Sequence, residues 1–590
     1  MPYRPQWVDL FARMYFTKTI SQFILHGNIV DYVRSEDAGA NGQPGKVHYH
    51  KLKDYLTQEL FKRRDIVITY DRAAGIQLRT PEMTRDFLLS VSAYDTINKT
   101  TFSQGLPKDP ARAFALLENY IRVRLIDGKS IALVLDYAET LIPMGQSSYA
   151  SAEDRAILVY LLKWAKESLF IQSDMTTVLV TDNVSDLHQQ LVRNPYSFEI
   201  EIAYPDEGER LLYIQHAIGQ NAKITGLLEM SPEVLAKNTA GLTVVQLQTL
   251  MADVAENNRT YTFAELNTRK RAIIESEAGG LLGFVDTKYT LDNVAGHKYA
   301  KAALRSAATA LKAGRQDVLP MGYLVNGPVG TGKTFMVSCF AADIGVPMVE
   351  LKNFRSQWQG VTEANLEKVL KILKAMNPVA VMIDEADAYL GNRNSSGDSG
   401  VSSRVFSMIA SFMSNTEHRG KIIWFLLTAR PDLMPIDLKR QGRAEEHIAL
   451  FYPETVAERK ELLEVMLRKT KITSLKPDDF DAEFYETLKV NSGADMEAAL
   501  TRAKFRAASK AATSEAAEVT VEIVKETFAD FIPPTYPEEV ELMNLVAVLE
   551  CTSRELLPEK YKAMSRAEVV DRIAQLKSRT ALMGQQVAGG

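Results

Sequence analysis

Four apolar runs set the rhythm of the chain. Residues 130–136 (SIALVLD) are followed by 177–182 (TVLVTD), and residues 378–384 (PVAVMID) by 422–428 (IIWFLLT). Runs this short, ending in an acid or a threonine, suit central strands of a parallel sheet buried on both faces. Residues 65–70 (DIVITY) read as a further strand, the first of its sheet or a neighbour of it. Helix-period stretches lie between the runs, at 152–170 and 405–413. Strand alternating with helix predicts α/β layers around a parallel sheet. The two halves share a second pattern: 200–210 reads IEIAYPDEGER and 448–459 reads IALFYPETVAER. Each half then ends in a helix-rich stretch, at about 206–275 and 454–533. The pattern therefore predicts two related modules in tandem, each an α/β core with a helical lid.

Punctuation divides the modules. Gly279, Gly280 and Gly283 loosen residues 277–286, so 276–290 reads as a linker between a first module (1–275, core to about 205) and a second core (291–453). Three prolines in 532–537 stop the second lid, leaving 534–590 as a helical tail with helices at 538–551 and 565–582. Ser565 and Glu568 form a capping-box start for the last of these. The tail helices either pack on the second lid or serve a partner. The Ser/Gly-rich stretch 392–403 reads as a loop, and residues 1–60 carry no chemical motif.

Composition narrows the class. The 590 residues suggest roughly four compact units. With 24% charged and 46% hydrophobic residues the usage is globular, which excludes a disordered, collagen-like or disulfide-built protein. A net charge of −5 argues against a dedicated duplex-binding protein. Cys339 and Cys551 have no metal-ligand spacing and read as buried, reduced thiols. No secretory leader and no apolar run of membrane-spanning length is visible, so the expectation is a soluble, cytoplasmic product.

The sharpest chemical signal is 327–334, GPVGTGKT, which matches G-x-x-x-x-G-K-[ST] in full. It follows a short strand (322–325) and opens a helix (333–344) that stops at Gly345. The glycines let backbone N–H groups approach phosphate oxygens, and the helix N-terminus adds positive potential. Gly327, Pro328, Val329, Gly330, Thr331 and Gly332 form this cradle, Lys333 is placed for the β and γ phosphates, and the Thr334 hydroxyl for Mg²⁺. About fifty residues on, 379–385 (VAVMIDE) ends in two acids. Asp384 is placed to hold Mg²⁺, mostly through water, and Glu385 to orient or deprotonate the attacking water. Alone, such a pair is often a solvated strand end; the phosphate loop at this spacing reverses that. Arg440 and Arg443, in 438–443 (LKRQGR), are either a solvated turn or arginines aimed at a neighbouring subunit's γ-phosphate.

These residues resemble the AAA branch of the AAA+ ATPases, ring-forming protein-remodelling machines. Residues 291–296 (LDNVAG) look like the family's motif in which Ala295 and Gly296 border the adenine. GPVGTGKT, with Phe335 after it, and VMIDEAD look like its Walker A and B; 430–432 (RPD) and 438–443 like its arginine-finger region; 492–495 (SGAD) like the lid motif that brings Gly493 and Ala494 to the adenine and ribose. The resemblance covers about 288–533. It implies bound ATP and Mg²⁺, Glu385 acting in cis, Arg440 and Arg443 acting in trans, and a homo-oligomer, most simply a hexamer. Residues 356–363 (SQWQGVTE) resemble the family's first pore loop, with Trp358, Gln359 and Gly360 contacting a threaded client; the bland alternative is Trp358 as a half-buried core residue. A second loop around 394–403 would lie below it. The sensor-1 position, usually Asn, is Ala429, with Thr428 beside it as a candidate substitute.

The first half departs further. No phosphate loop follows any of its strands, and Tyr137 replaces the catalytic acid after Asp136. Asn183 and Arg193 sit near the sensor-1 and finger positions. It reads as a degenerate module whose role is ring stability or docking of an adaptor. Two functions follow for the whole: an ATP-driven protein remodeller, or an ATP-gated assembly scaffold with slow hydrolysis. A nucleic-acid motor is least favoured, there being no zinc ribbon, winged-helix signal or basic run.

Overall fold

The computed structural model describes residues 4–37, 45–144, 152–221, 223–257, 262–313, 315–352, 362–390, 401–488, 492–510, 518–532 and 537–588. They form two compact units, residues 1–274 with 363–375, and residues 275–362 with 376–590.

In the first unit the strands are β1 (Gln22–Gly27), β2 (Tyr32–Glu36), β3 (Val47–Lys51), β4 (Ile66–Asp71), β5 (Gly75–Leu78), β6 (Ile131–Leu135), β7 (Met175–Thr181) and β8 (Ser197–Ile202). Six of them make one sheet in the order β5-β4-β6-β7-β1-β8; β2 and β3 form a separate hairpin. All pairings in the sheet are parallel except β4 with β5. β6 and β7 are buried along their whole length, as their unbroken apolar runs require. One face carries Phe23, Leu25, Val67, Val134 and Val178, the other Ile24, Ile68, Leu133 and Leu179 packed on Phe114 and Trp164.

In the second unit β9 (Leu282–Val285), β10 (Gly322–Asn326), β11 (Met348–Leu351), β12 (Val379–Ile383), β13 (Ile422–Thr428) and β14 (Glu446–Ala449) make a sheet in the order β14-β10-β13-β12-β11-β9. Only β9 runs antiparallel. Reversed, its five parallel strands follow the order of those in the first sheet; the antiparallel edge strands differ in origin, β5 following its neighbour β4 in the chain and β9 preceding the whole core. The duplication seen in the sequence is thus a duplication of the five-stranded parallel topology, with β1 the counterpart of β10.

The helices after each sheet also correspond. Helix Glu207–Gln220 begins with a capping box between Asp206 and Glu209, and helix Val456–Lys469 with one between Thr455 and Glu458. The next residues, Arg210 and Arg459, are both 3% exposed. Each donates to backbone carbonyls at its helix start, Pro205 for the first and Pro453 and Glu454 for the second, and each has a further partner, the Ala236 carbonyl for Arg210 and the Glu486 carboxylate for Arg459. Hydrogen bonds of this kind offset much of the cost of burying a charge.

Several expectations change. Residues 65–70 contain a neighbour strand, β4; the first strand is β1. Within the stretch expected as a linker, residues 282–285 form β9, because Leu282 and its apolar neighbours pair with β11 as an edge strand. The helix expected from 405 begins at 401 (Val401–Met413), shortening the Ser/Gly-rich loop, whose residues 391–400 lie outside those described. Of the two free thiols Cys339 is buried, and Cys551 only half-buried. The tail helices are Pro537–Glu550 and Arg566–Ala588, the second opened by reciprocal Ser565 and Glu568 hydrogen bonds. They pack on Ala449 and Phe451 at the end of β14 rather than within the lid core. No described helix is long and apolar enough to cross a membrane.

Candidate functional site

At the end of β10 the chain turns at Gly327 with φ +134°. A Cβ there would fall 2.1 Å from the Leu450 carbonyl oxygen, so only glycine fits. Gly330 (φ +83°) and Gly332 (φ +84°) continue the loop, and helix Lys333–Ile344 starts directly after it. The loop is braced from several sides. Thr331 Oγ1 donates to the Pro328 carbonyl at 2.9 Å, the Tyr452 hydroxyl donates to the Val329 carbonyl at 2.8 Å, and His297 Nε2 lies 2.9 Å from the Thr331 carbonyl. Burial pushes His297 down to about 4, so its ring is neutral and donates. Burial raises the Tyr452 phenol to about 12.

Lys333 folds back over this loop. Its Nζ donates to the Gly327 carbonyl at 2.8 Å and to the Pro328 carbonyl at 2.9 Å. Burial lowers it to about 8, against the opposing pull of Asp384 and Asp387. Thr334 Oγ1 donates to Asp384 Oδ2 at 2.8 Å, joining the helix start to the end of β12. Glu385 follows in the left-handed region (φ +48°), its N–H donating to Asp384 Oδ1 at 2.8 Å and its side chain exposed. Thr428, 1% exposed, is committed elsewhere: its hydroxyl donates to Asp387 Oδ1 at 2.6 Å and accepts from the Arg430 N–H.

The lid closes the other side. A Cβ on Gly330 would lie 2.5 Å from Ser492 Oγ, so loop and lid meet closely at this glycine. Ser492 and Asp495 hold the start of helix Gly493–Lys510 through reciprocal bonds. Between loop and lid lies a cavity of about 510 Å³ lined by Ala295, Gly296, Gly330, Thr331, Gly332, Phe335, Gly493 and Ala494, among others. The volume suits a small organic ligand. Tyr289, His297, Tyr452 and Met466 line it too, as do the tail residues Leu556, Pro558, Glu559 and Lys560. Sequence reasoning missed these, because each reaches the cavity from outside a motif; the aromatic at 452 lies within the duplicated YP pattern and is the one that carried a signal.

Arg440 and Arg443 lie apart from this lining. Arg443 Nη1 donates to the Asp437 carbonyl at 2.7 Å. Arg440 is exposed; its carbonyl accepts the Arg443 N–H, and its side chain makes no hydrogen bond or ion pair among the described residues. Trp358, Gln359 and Gly360 lie outside the described residues.

The first unit presents the same positions with different residues. His26 pairs with Thr181 as Asn326 pairs with Thr428, which makes Gly27 the counterpart of Gly327. Gly27 has φ +101°, and a Cβ would fall 2.6 Å from the Ile202 carbonyl oxygen. Tyr137 occupies the left-handed position of Glu385 (φ +52°), its N–H donating to Asp136 Oδ1. Where the second unit has a phosphate loop and helix, the first has Asn28, Asp31 and the β2–β3 hairpin. Asp31 is 4% exposed and accepts from Asn28 Nδ2 and from the Tyr32, Val244 and Val245 N–H groups, all at 2.8–2.9 Å. Val244 opens helix Val244–Asn257, which Thr243 and Gln246 cap as Ser492 and Asp495 cap theirs. A carboxylate thus ties core to lid, and the corresponding cavity, lined by Asn28, Asp31, Tyr49 and Val244, is about 70 Å³.

Comparison with known proteins follows the same division. Residues 1–203 match the "AAA+ chaperone, N-terminal Rossmann-like domain", residues 208–279 the "AAA+ chaperone, second helical domain", and residues 323–452 the "ATPase family associated with various cellular activities (AAA)". Among curated relatives, a "Cell division cycle protein 48 homolog" of Archaeoglobus fulgidus is 24% identical over 75% of this chain and 63% of its own length. An "Uncharacterized AAA domain-containing protein ycf46" of Trieres chinensis is 26% identical over 47% of this chain and 56% of its own. A "Peroxisomal ATPase PEX6" of Arthrobotrys oligospora is 25% identical over 69% and 37%. The chain therefore spans less than two thirds of each of these relatives. Two sheets of one topology, one with a phosphate loop and one without, and family matches spread across both halves lead to one assignment: the chain belongs to the AAA+ ATPases, as a member built of tandem modules.

Proposed function

We propose that the second unit binds and hydrolyses ATP with Mg²⁺, and that a ring of copies, six being the simplest closure, couples this to remodelling of protein clients. The observation that carries the reading is the joining of Lys333, the Thr334–Asp384 pair and exposed Glu385 to a glycine loop whose Gly330, Thr331 and Gly332 line a 510 Å³ cavity. The residues present fit the ligands. Lys333 is a half-buried ammonium whose described partners are two carbonyls, and an anion would stabilise its charge. Thr334 and Asp384 would hold Mg²⁺, which when bound neutralises charge on the β and γ phosphates.

The chain's own groups divide the work. The N–H groups of residues 327–334 bind phosphate oxygens, with the start of helix Lys333–Ile344 behind them. Ala295, Gly296, Gly493 and Ala494 enclose the base and ribose. Glu385, held off the sheet by its left-handed backbone, orients and deprotonates the attacking water. Arg440, its side chain exposed and without a described partner, is the better placed of the two arginines to reach a neighbouring subunit's phosphate; Arg443 steadies the segment that presents it. Trp358 grips the client, an aromatic giving a large contact tolerant of sequence.

A second reading, an ATP-gated scaffold that hydrolyses slowly, is favoured by one observation: Ala429 has no amide, and the Thr428 hydroxyl beside it is already engaged by Asp387. One set of measurements separates the two. Phosphate release should be lost in Glu385→Gln. Trp358→Ala should keep its basal ATPase and its melting temperature yet lose client unfolding. Full client unfolding by Trp358→Ala would remove Trp358 from the mechanism, and absence of client unfolding by the unaltered protein would favour the scaffold. A lowered melt with every activity damaged would assign Trp358 to a core, where truncation costs ~3–5 kcal/mol.

A further inference from the structure

The segment that presents Arg440 is held by the C-terminal tail. It comprises the turn Pro431–Leu433, the single helical turn Ile436–Lys439, and Arg440 itself. One helical turn does not hold its own direction in water, so the aim of Arg440 depends on what holds its neighbours. Leu438 is fully buried and accepts the Ala444 N–H through its carbonyl. Lys439, the residue before Arg440, donates to the Pro431 carbonyl at 3.0 Å and to Glu550 Oε1 at 2.5 Å. Glu550 is the last residue of tail helix Pro537–Glu550. The Lys439 side chain is 10% exposed, so the pair sits in a setting where losing one partner strands a charge. A second tie comes from the last helix: Lys577 lies 2.9 Å from Asp432 Oδ2, and Asp432 also receives both Nε and Nη2 of Arg430. Backbone ties reinforce the same junction, with His447 Nδ1 2.7 Å from the Glu550 carbonyl and the His447 N–H donating to Thr552 Oγ1.

We infer that Glu550 and Lys577 are positioning residues for Arg440: the tail fixes the orientation in which the arginine is offered to a neighbouring subunit. This rests on the trans-acting role of Arg440 proposed above, and the test separates the two.

Wild-type subunits are mixed in equal amounts with Glu385→Gln subunits, which hydrolyse nothing themselves but still present their arginine. The Glu385→Gln subunits additionally carry Arg440→Ala, Glu550→Ala or Lys577→Ala. ATP turnover by the mixture then reports what the inactive subunits do for their active neighbours. Each addition should lower turnover below that of the mixture with Glu385→Gln alone, while mass photometry shows mixed assemblies of unchanged size. In homogeneous assemblies Glu550→Ala should lower kcat about tenfold with KM for ATP unchanged, the pattern of a misplaced transition-state group. The charge swap Lys439→Glu with Glu550→Lys should restore much of it. If Arg440→Ala lowers turnover and neither tail variant does, the positioning role is overturned and the arginine's role stands. If Arg440→Ala is also without effect, the trans-acting reading fails and this inference with it. Loss of mixed assemblies by the tail variants would assign the tail to assembly and overturn a positioning role.

Discussion

A partly desolvated ammonium whose described partners are two carbonyls holds its proton less tightly than a free one, and Lys333, lowered to about 8, is such a group. The unfolded chain binds more protons at this site than the folded one between about pH 8 and 10, so the free protein gains stability across that window as pH rises. An arriving triphosphate reverses the balance by favouring the charged amine. ATP binding near pH 8.5 should therefore take up a fraction of a proton, visible as a buffer-dependent heat in titration calorimetry, and less near about pH 7 where the amine is already charged. Equal heats in buffers of different ionisation enthalpy would contradict this. His297 acts with the same sign in a lower window: held near 4 by burial, it makes stability fall as pH drops below its ordinary 6.5. The residues on the phosphate loop and at the strand end were legible because their motif fixes type and spacing together. His297 was not, and Tyr452 showed only as part of the repeated YP pattern, since their contacts with the loop are made across 34 and 123 residues of chain.

Among elements, the informative contrast is between the two lid helices. Helix Gly493–Lys510 starts against a glycine of the phosphate loop, whereas Val244–Asn257 is tied to its core by the Asp31 carboxylate. Asp31→Ala would leave the Val244 and Val245 N–H groups without their acceptor, at about 1–3 kcal/mol for each buried donor. Hydrogen exchange should then speed up at the start of helix Val244–Asn257 and stay unchanged in the second unit; unaltered protection would show that the tie does not hold this lid. Asp31→Asn, which keeps a carbonyl oxygen, should fall between. The apolar runs of β6, β7, β12 and β13 announced their sheets. β1 did not, because a short strand followed by no phosphate loop carries no label, and β4 is the more conspicuous run. β9 was hidden by its glycines, which read as a linker until β11 supplied a partner.

Taken as a whole, the chain pairs one large cavity between core and lid with a small one at the corresponding place in the first unit. About 70 Å³ is well below the several hundred that an adenine nucleotide needs, against about 510 Å³ in the second unit. The full chain should therefore bind one ATP per copy, and Lys333→Ala should abolish measurable binding rather than halve it. A second stoichiometric site surviving in that variant would show that the first unit binds nucleotide after all. The tandem organisation was legible from the repeated YP…ER segments, which carry the lid's capping box and buried arginine in both halves. What filled the smaller cavity was not, since an aspartate that reaches 213 residues along the chain leaves no local trace.

The shared glycine at the end of β1 and β10 bears on how such duplications are recognised. Gly27 faces no phosphate, yet the Ile202 carbonyl excludes a side chain there as firmly as the Leu450 carbonyl does at Gly327. The first letter of the phosphate-loop signature is thus owed to the sheet and not to the nucleotide. A lineage that abandons catalysis is free to discard the lysine and threonine, but the packing of its edge strand continues to select for the glycine. Decayed copies of this module are therefore best sought by that strand-end glycine, together with the left-handed residue after the strand-end acid, and not by the cradle they have lost.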